Sequence, residues 1–275
     1  MFKFVAILVF LVAVSANKQT PFVHPNARNA NLLASRLTII NGKTAAPHQF
    51  PYQVGIYVTT PNYIDFCGGS LISSNYVLTA AHCLESATNV KLIFGAQNIT
   101  DPSESTQVQL KSESFVVHEG WNPKTYSNDI ALIKLPTPVK ETNAIKIVSL
   151  ARGERTYSHE QGAVAGWGIS RRNQKGVTPI LQYITPYILS NRDCKNIDQN
   201  YAAVITDLLL CISPGYSKLS TCQGDSGGPL AVNGIQVGLV SFGATDCLSG
   251  KPSVFTRINK YESWISKNSD VHFLD

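Results

Sequence analysis

Thr221-Cys222-Gln223-Gly224-Asp225-Ser226-Gly227-Gly228-Pro229 is the stretch on which the fold turns. Glycines around a serine let the backbone turn tightly and bring amide N–H groups to a place where a carbonyl oxygen can gain charge. Ser226 is then a candidate nucleophile, with the N–H groups of Gly224 and Ser226 as candidate oxyanion donors. The same letters also satisfy the G-x-S-x-G elbow that joins a strand to a helix in an α/β sheet. A glycine-rich hairpin turn with a solvated serine is the third reading. Each implies a different architecture, so the rest of the chain has to decide.

Two upstream segments do so. Leu78–Cys83 reads LTAAHC and puts His82 at the end of an apolar strand beside a cysteine; Ser127–Leu135 reads SNDIALIKL and puts Asp129 just before another. Taken singly, such a histidine is more often structural and such an aspartate more often caps a turn. With Ser226 they give the chain order His, Asp, Ser, whereas elbow hydrolases run Ser, acid, His. The intervening chain also lacks the β/α alternation of a parallel sheet. From Ile39 onward it consists of short runs of β-formers between turn residues: Tyr52–Val58, Tyr76–Leu78, Val90–Phe94, Phe115–Val117, Ile130–Leu135, Ala163–Trp167, Pro229–Val232 and Val237–Phe242. Many short strands without helices between them imply an all-β antiparallel sandwich or barrel. Only the tail, around Tyr261, Trp264 and Ile265, has helical spacing.

Ile39-Ile40-Asn41-Gly42, Gly68-Gly69-Ser70-Leu71-Ile72, the His82 and Asp129 segments, Ala165-Gly166-Trp167-Gly168, the Ser226 segment and Ser241-Phe242-Gly243 together resemble the trypsin and chymotrypsin family. The resemblance runs from Ile39 nearly to the end, and is greatest to the chymotrypsin-like and collagenolytic digestive enzymes of arthropods. It implies two packed six-stranded antiparallel β-barrels with a C-terminal helix, and a serine endopeptidase working through an acyl-enzyme. Ser226 would attack, His82 would carry the proton, and Asp129 would hold the His82 tautomer. Disulfides Cys67–Cys83, Cys194–Cys211 and Cys222–Cys247 are implied as well. A homologue that has lost catalysis and acts by binding is a less favoured alternative, because all three triad residues are present. The other histidines, His24, His48, His118, His159 and His272, lack such partners in sequence and are read as surface or structural.

Residues 1–16, MFKFVAILVFLVAVSA, give one charge, an apolar run and a small-residue end, which is the pattern of a signal peptide. The apolar run falls well short of the ~20 residues of a membrane-spanning helix. Residues 17–38 are polar, hold two prolines and read as an activation pro-segment, leaving 39–275 as the protease domain. The formal charge of +5 lies mostly in this removable part. Lys3, Lys18, Arg28 and Arg36 precede residue 39 without any acid, so 19 bases face 18 acids afterwards. That balance offers no footprint for nucleic acid or for a membrane surface. Six cysteines behind a secretion signal, without paired CxxC spacing, point to disulfides in an extracellular protein; spacing alone leaves 15 pairings open. Asn98-Ile99-Thr100 is a glycosylation sequon. Asp101 and Glu104 lie in a loop suited to calcium, but their pattern does not match calcium-binding relatives. No metal and no cofactor are assigned.

The resemblance also marks the substrate site. Ser220, six residues before Ser226, would floor the specificity pocket, with Gly243 and Ser253 as its walls. With no carboxylate at the floor, a buried Lys or Arg would lose its hydration without an ion partner, at a cost of several kcal/mol. Gly243 admits large side chains and Ser253 shortens or polarises the pocket, so the expected preference is Phe, Tyr, Leu or Met. Elastase- or collagenase-like cleavage is the alternative. Asp246, near the wall in sequence, would tolerate some basic residues or be a solvated loop acid. Ser241-Phe242-Gly243 would pair with the substrate backbone as an edge strand. Ile39 and Asp225 match the pair formed on activation, in which a freed isoleucine amine meets a buried aspartate. The nearest basic residue is Arg36, two short of Thr38, so a cut after Thr38 or trimming after Arg36 is expected, with Leu37 as the mature terminus the alternative. The expected partners are protein or peptide substrates, protein inhibitors and an activating protease, acting on a monomer.

Overall fold

The computed structural model describes residues 22–23, 39, 42–169, 176–197, 199–215, 218–244, 247 and 249–273. The expected signal peptide, the pro-segment apart from Phe22–Val23, and Asp246 lie outside these residues.

Strands dominate, as the short β-runs require. β1 (Phe22–Val23) and β2 (Lys43–Thr44) precede β3 (Gln53–Thr59), β4 (Ile64–Leu71), β5 (Tyr76–Thr79), β6 (Asn89–Phe94), β7 (Val108–Ser112), β8 (Phe115–Val117) and β9 (Ala131–Lys134). Then come β10 (Ser149–Leu150), β11 (Ala163–Gly166), β12 (Gln182–Ile184), β13 (Ile188–Leu189), β14 (Leu209–Ile212), β15 (Pro229–Val232), β16 (Ile235–Ala244) and β17 (Ser253–Arg257).

The first sheet has the order β7-β6-β3-β4-β5-β9-β8. β7 and β8 are neighbours in sequence yet stand at opposite ends, so the sheet curls until its ends meet. Ser112 Oγ at the end of β7 donates across that seam to Lys134 O on β9 at 2.6 Å. Counting β7 and β8 as one bent strand gives the six expected. The second sheet has ten strands, of which β1, β2, β10 and β13 are two-residue pieces and the remaining six are longer. Val54, Ile56, Val58, Leu92 and Phe94 fill the first curl, and Val164, Ile184, Leu210, Leu230 and Phe255 fill the second. Each such side chain contributes about 1.5–3 kcal/mol on burial.

Strand β4 was not anticipated because Gly68 and Gly69 weaken its β signal. The structure explains them by close approach. Gly68 N–H donates to Ser226 O at 2.7 Å, and a Cβ on Gly68 would lie 3.0 Å from Gly228 Cα. On the other side Gly227 has φ +75°, and a Cβ there would meet Thr79 Oγ1 at 2.2 Å. The Ser226 turn therefore rests directly on the first sheet.

One sequence expectation needs correction. Helix is not confined to the tail: α1 (Ala81–Leu84), α2 (Asn191–Lys195) and α3 (Gln199–Val204) precede α4 (Glu262–Asn268). All three are one or two turns, too short to show a 3.6-residue period. α2 is marked instead by its cap, where Ser190 Oγ accepts from Asp193 N–H at 3.1 Å.

Candidate functional site

His82 stands on the single turn α1, just beyond β5 and not on the strand itself. The Cys67–Cys83 disulfide ties the next residue to β4. Asp129 precedes β9, is 0% exposed, and grips His82 twice. Its Oδ1 accepts the His82 backbone N–H at 2.9 Å and its Oδ2 faces ring Nδ1 at 2.8 Å. Ser241 Oγ donates to the same Oδ2 at 2.6 Å, and Thr256 Oγ1 donates to Asp129 O at 2.8 Å. A carboxylate held this firmly at Nδ1 leaves Nε2 as the nitrogen able to accept a proton.

Ser226 is brought to this pair from the second sheet. Gly224 has φ +92° and lies against Gly168, where a Cβ would come within 2.9 Å of Gly168 Cα. The Asp225, Gly227 and Gly228 amides are used inside the fold, on Cys222 O, Val240 O and Asp225 O. The N–H groups of Gly224 and Ser226 donate to no described residue, as an oxyanion site requires. Ser226 is 0% exposed and its Oγ makes no hydrogen bond to a described residue, so its bond to the base has yet to close.

Asp225 turns away from the cleft and is fully buried. Its carboxylate accepts from Gly168 N–H at 3.1 Å and Cys222 N–H at 3.0 Å, and also from the Ile39 backbone N–H. Burial pushes its pKa up to about 7 against the pull of those three donors. Ile39 itself is 2% exposed. The sequence motif thus brings Ile39 and Asp225 together; Arg36, Leu37 and Thr38 lie outside the described residues.

Ser220, Ser253 and Gly243 also meet. Ser220 Oγ lies 3.2 Å from Ser253 Oγ and donates to Thr221 O at 2.9 Å, while Ser253 Oγ accepts from Thr221 N–H at 3.1 Å. Two buried hydroxyls therefore share one spot. Gly243 is open, since a Cβ there would find only ordinary contacts of 3.8 Å and more. Cys222–Cys247 and Cys194–Cys211 are bonded, so all three implied disulfides form.

Sequence reading missed the aromatic packing behind Phe242, whose ring centroid lies 5.1 Å from that of Tyr126. It also missed a groove of about 400 Å³ beside Gly224, lined by Tyr57, Ile64, Phe66, Ile169 and Val177. Tyr57 lies on β3, Ile64 and Phe66 on β4, and Ile169 and Val177 far along the chain, so no motif joins them. In the Asn98 loop, Asp101 Oδ1 is taken by Ser103, and Glu104 by the Gln97 and Asn98 amides and Gln107. Asn98 Oδ1 accepts from Thr100 N–H and Oγ1. Of the remaining described histidines, His118 stacks on Trp264 at 5.1 Å.

Residues 39–265 match the trypsin family. The chain is 40% identical over 237 residues to a brachyurin of Leptuca pugilator, covering 85% of this chain and 99% of that one. It is 35% identical over 275 residues to a collagenase of Hypoderma lineatum, covering 97% and 99%. A solved structure of HL collagenase is similar with a TM-score of 0.77 at 35% identity, covering 86% of this chain and all of that one.

Proposed function

The chain belongs to the trypsin family and is a serine protease, and from that premise we propose that it is a secreted endopeptidase in which Ser226, His82 and Asp129 perform catalysis. The observation that carries this reading is Asp129 bound to His82 Nδ1 at 2.8 Å, with Ser226 held in a tight glycine turn on the second sheet. Ser226 Oγ attacks the scissile carbonyl while His82 Nε2 takes its proton. The negative oxygen is held by the Gly224 and Ser226 N–H groups. His82 then protonates the leaving amine, and water, deprotonated in turn by His82, frees the acyl-enzyme. Asp129 orients the ring and offsets its positive charge. Ser241 acts through Asp129 as a positioning residue, while its strand presents backbone to the substrate.

The pocket takes a large apolar side chain, Phe, Tyr, Leu or Met. Gly243 leaves the mouth open, and the floor offers the Ser220 and Ser253 hydroxyls but no charge. Collagen cleavage is the second reading, favoured by the similarity to a protein named collagenase. Export under the segment 1–16 agrees with three disulfides, which persist in oxidising compartments. Full activity requires cleavage before Ile39, so that its ammonium replaces the amide now donating to Asp225.

A serine-directed phosphonate tests the assignment: the processed enzyme should be labelled at Ser226, and Ser226→Ala should lower kcat by ~10⁶. Retention of more than about a hundredth of the activity would sink it, because attack is assigned to this hydroxyl alone. A peptide-library profile dominated by cuts after Lys or Arg would refute the pocket reading. Digestion of triple-helical collagen, as against gelatin only, decides the second.

A further inference from the structure

Strand β1 is made by Phe22–Val23, within the segment that activation would remove, and it pairs antiparallel with the end of β16: Phe22 opposite Ala244, Val23 opposite Gly243. This is the edge to which a substrate backbone would add itself. β15 pairs with β16 as far as Leu239 and β17 as far as Phe242, and beyond them β1 lies along Gly243 and Ala244. The N–H and C=O groups of a strand edge pair with one strand at a time. Val23 and a substrate cannot both bond Gly243.

We propose that the pro-segment is an inhibitor of its own enzyme, holding the substrate strand edge through Phe22–Val23 until it is cut away. The proposal rests on the protease reading above and adds a cause of latency to it. The activation pair is already seated in the intact chain, with Ile39 buried and donating to Asp225, and Asp129 already holds His82. Base and acid are therefore paired before any cut, and the strand adds a block on access to the change that the freed Ile39 amine brings. Independently of the strand pairing, Ser226 is 0% exposed and the His82 side chain is 2% exposed.

Two paired residues make a weak complex, and tethering is what makes them sufficient. Covalent attachment within one chain gives an effective concentration on the order of millimolar. Residues 17–38 contain no cysteine, and all six cysteines pair with one another inside the domain. One cut before Ile39 thus ends the tether, and the strand falls from that effective concentration to its concentration in bulk. The same cut frees the Ile39 amine, so release and activation are a single event.

The test begins with enzyme processed to start at Ile39, assayed on a peptide ester. Inactivity there would overturn the protease reading and this proposal with it. Given activity, a synthetic peptide of residues 17–38 at millimolar concentration is expected to raise the apparent KM about tenfold with kcat unchanged. The same peptide with Phe22→Pro and Val23→Pro, which lacks both N–H groups of the strand, should have no effect. In the full-length chain, shown intact by N-terminal sequencing, those two substitutions should speed phosphonate labelling of Ser226 about tenfold or more. Equal inhibition by both peptides, an effect on kcat alone, or equal labelling of both chains while the processed enzyme is active would overturn the inhibitor strand and leave the protease reading standing.

Discussion

Ser220 is the residue at which, on the proposed pocket reading, a single atom group decides what is accepted. Its hydroxyl lies 3.2 Å from that of Ser253, both buried, so the spot is polar yet uncharged. A lysine or arginine entering it would be stripped of water without a counter-ion. Ser220→Asp supplies that ion, with Ser253 Oγ able to donate to the new carboxylate. It should raise kcat/KM after Lys or Arg at least about tenfold, the gain of one modest ion pair. A peptide-library comparison checks it, and no gain after basic residues would mean that the pocket lies elsewhere. At this scale much was legible in the sequence. Ser226, His82 and Asp129 each sit in a recognisable run of neighbours. Ser241 was read for its backbone alone, because the target of its hydroxyl is 112 residues away in sequence. Thr256 was missed for the same reason, with 127 residues to its partner.

Elements place these residues, and their junctions carry the next predictions. Asp225 lies at the junction of Ile39, Gly168 and Cys222, with its pKa raised from 3.8 to about 7 by burial. A carboxyl raised on folding binds more protons in the folded state than in the unfolded one between these values. Its contribution to stability is present below about pH 4 and is lost as pH rises to about 7. In the uncleaved chain, Asp225→Asn should therefore stabilise more at pH 8 than at pH 5. After cleavage the Ile39 ammonium becomes the partner, and the same substitution should destabilise by about 3–5 kcal/mol. Thermal melts of both forms at both pH values check this, and a pH-independent difference in the uncleaved chain would count against it. The groove between the start of β4 and Gly224 is the other junction. Ile64 is 68% exposed there. Ile64→Asp should lower kcat/KM about fivefold for peptides extended beyond the scissile bond, the loss of roughly one apolar contact. Small esters without that extension should be unaffected, and equal losses on both would place the effect elsewhere.

Across the whole molecule, three disulfides brace the joins between loops and sheets. Cys194–Cys211 ties α2 to β14 across 17 residues. Replacing both cysteines by alanine should cost about 3 kcal/mol by the loop-closure estimate. A denaturant titration should show a lower midpoint, and an unchanged midpoint would show the bond to be energetically idle. The sequence by itself determined the β class and singled out Ser226, His82 and Asp129 as candidates, while the uncharged pocket floor and the match of Ile39 to Asp225 came from its resemblance to the trypsin and chymotrypsin family. The class and the candidates rest on local causes: short runs of β-formers, glycines where the backbone must turn, and residue types whose chemistry has few substitutes. Only the tertiary structure decided that Ser241 and Thr256 secure Asp129, that Tyr126 backs Phe242, and that Phe22–Val23 lies along Gly243–Ala244. Each of these joins residues more than a hundred positions apart. Such contacts follow from how the two sheets curl and which edges they leave open, and neither is encoded in any one stretch of chain.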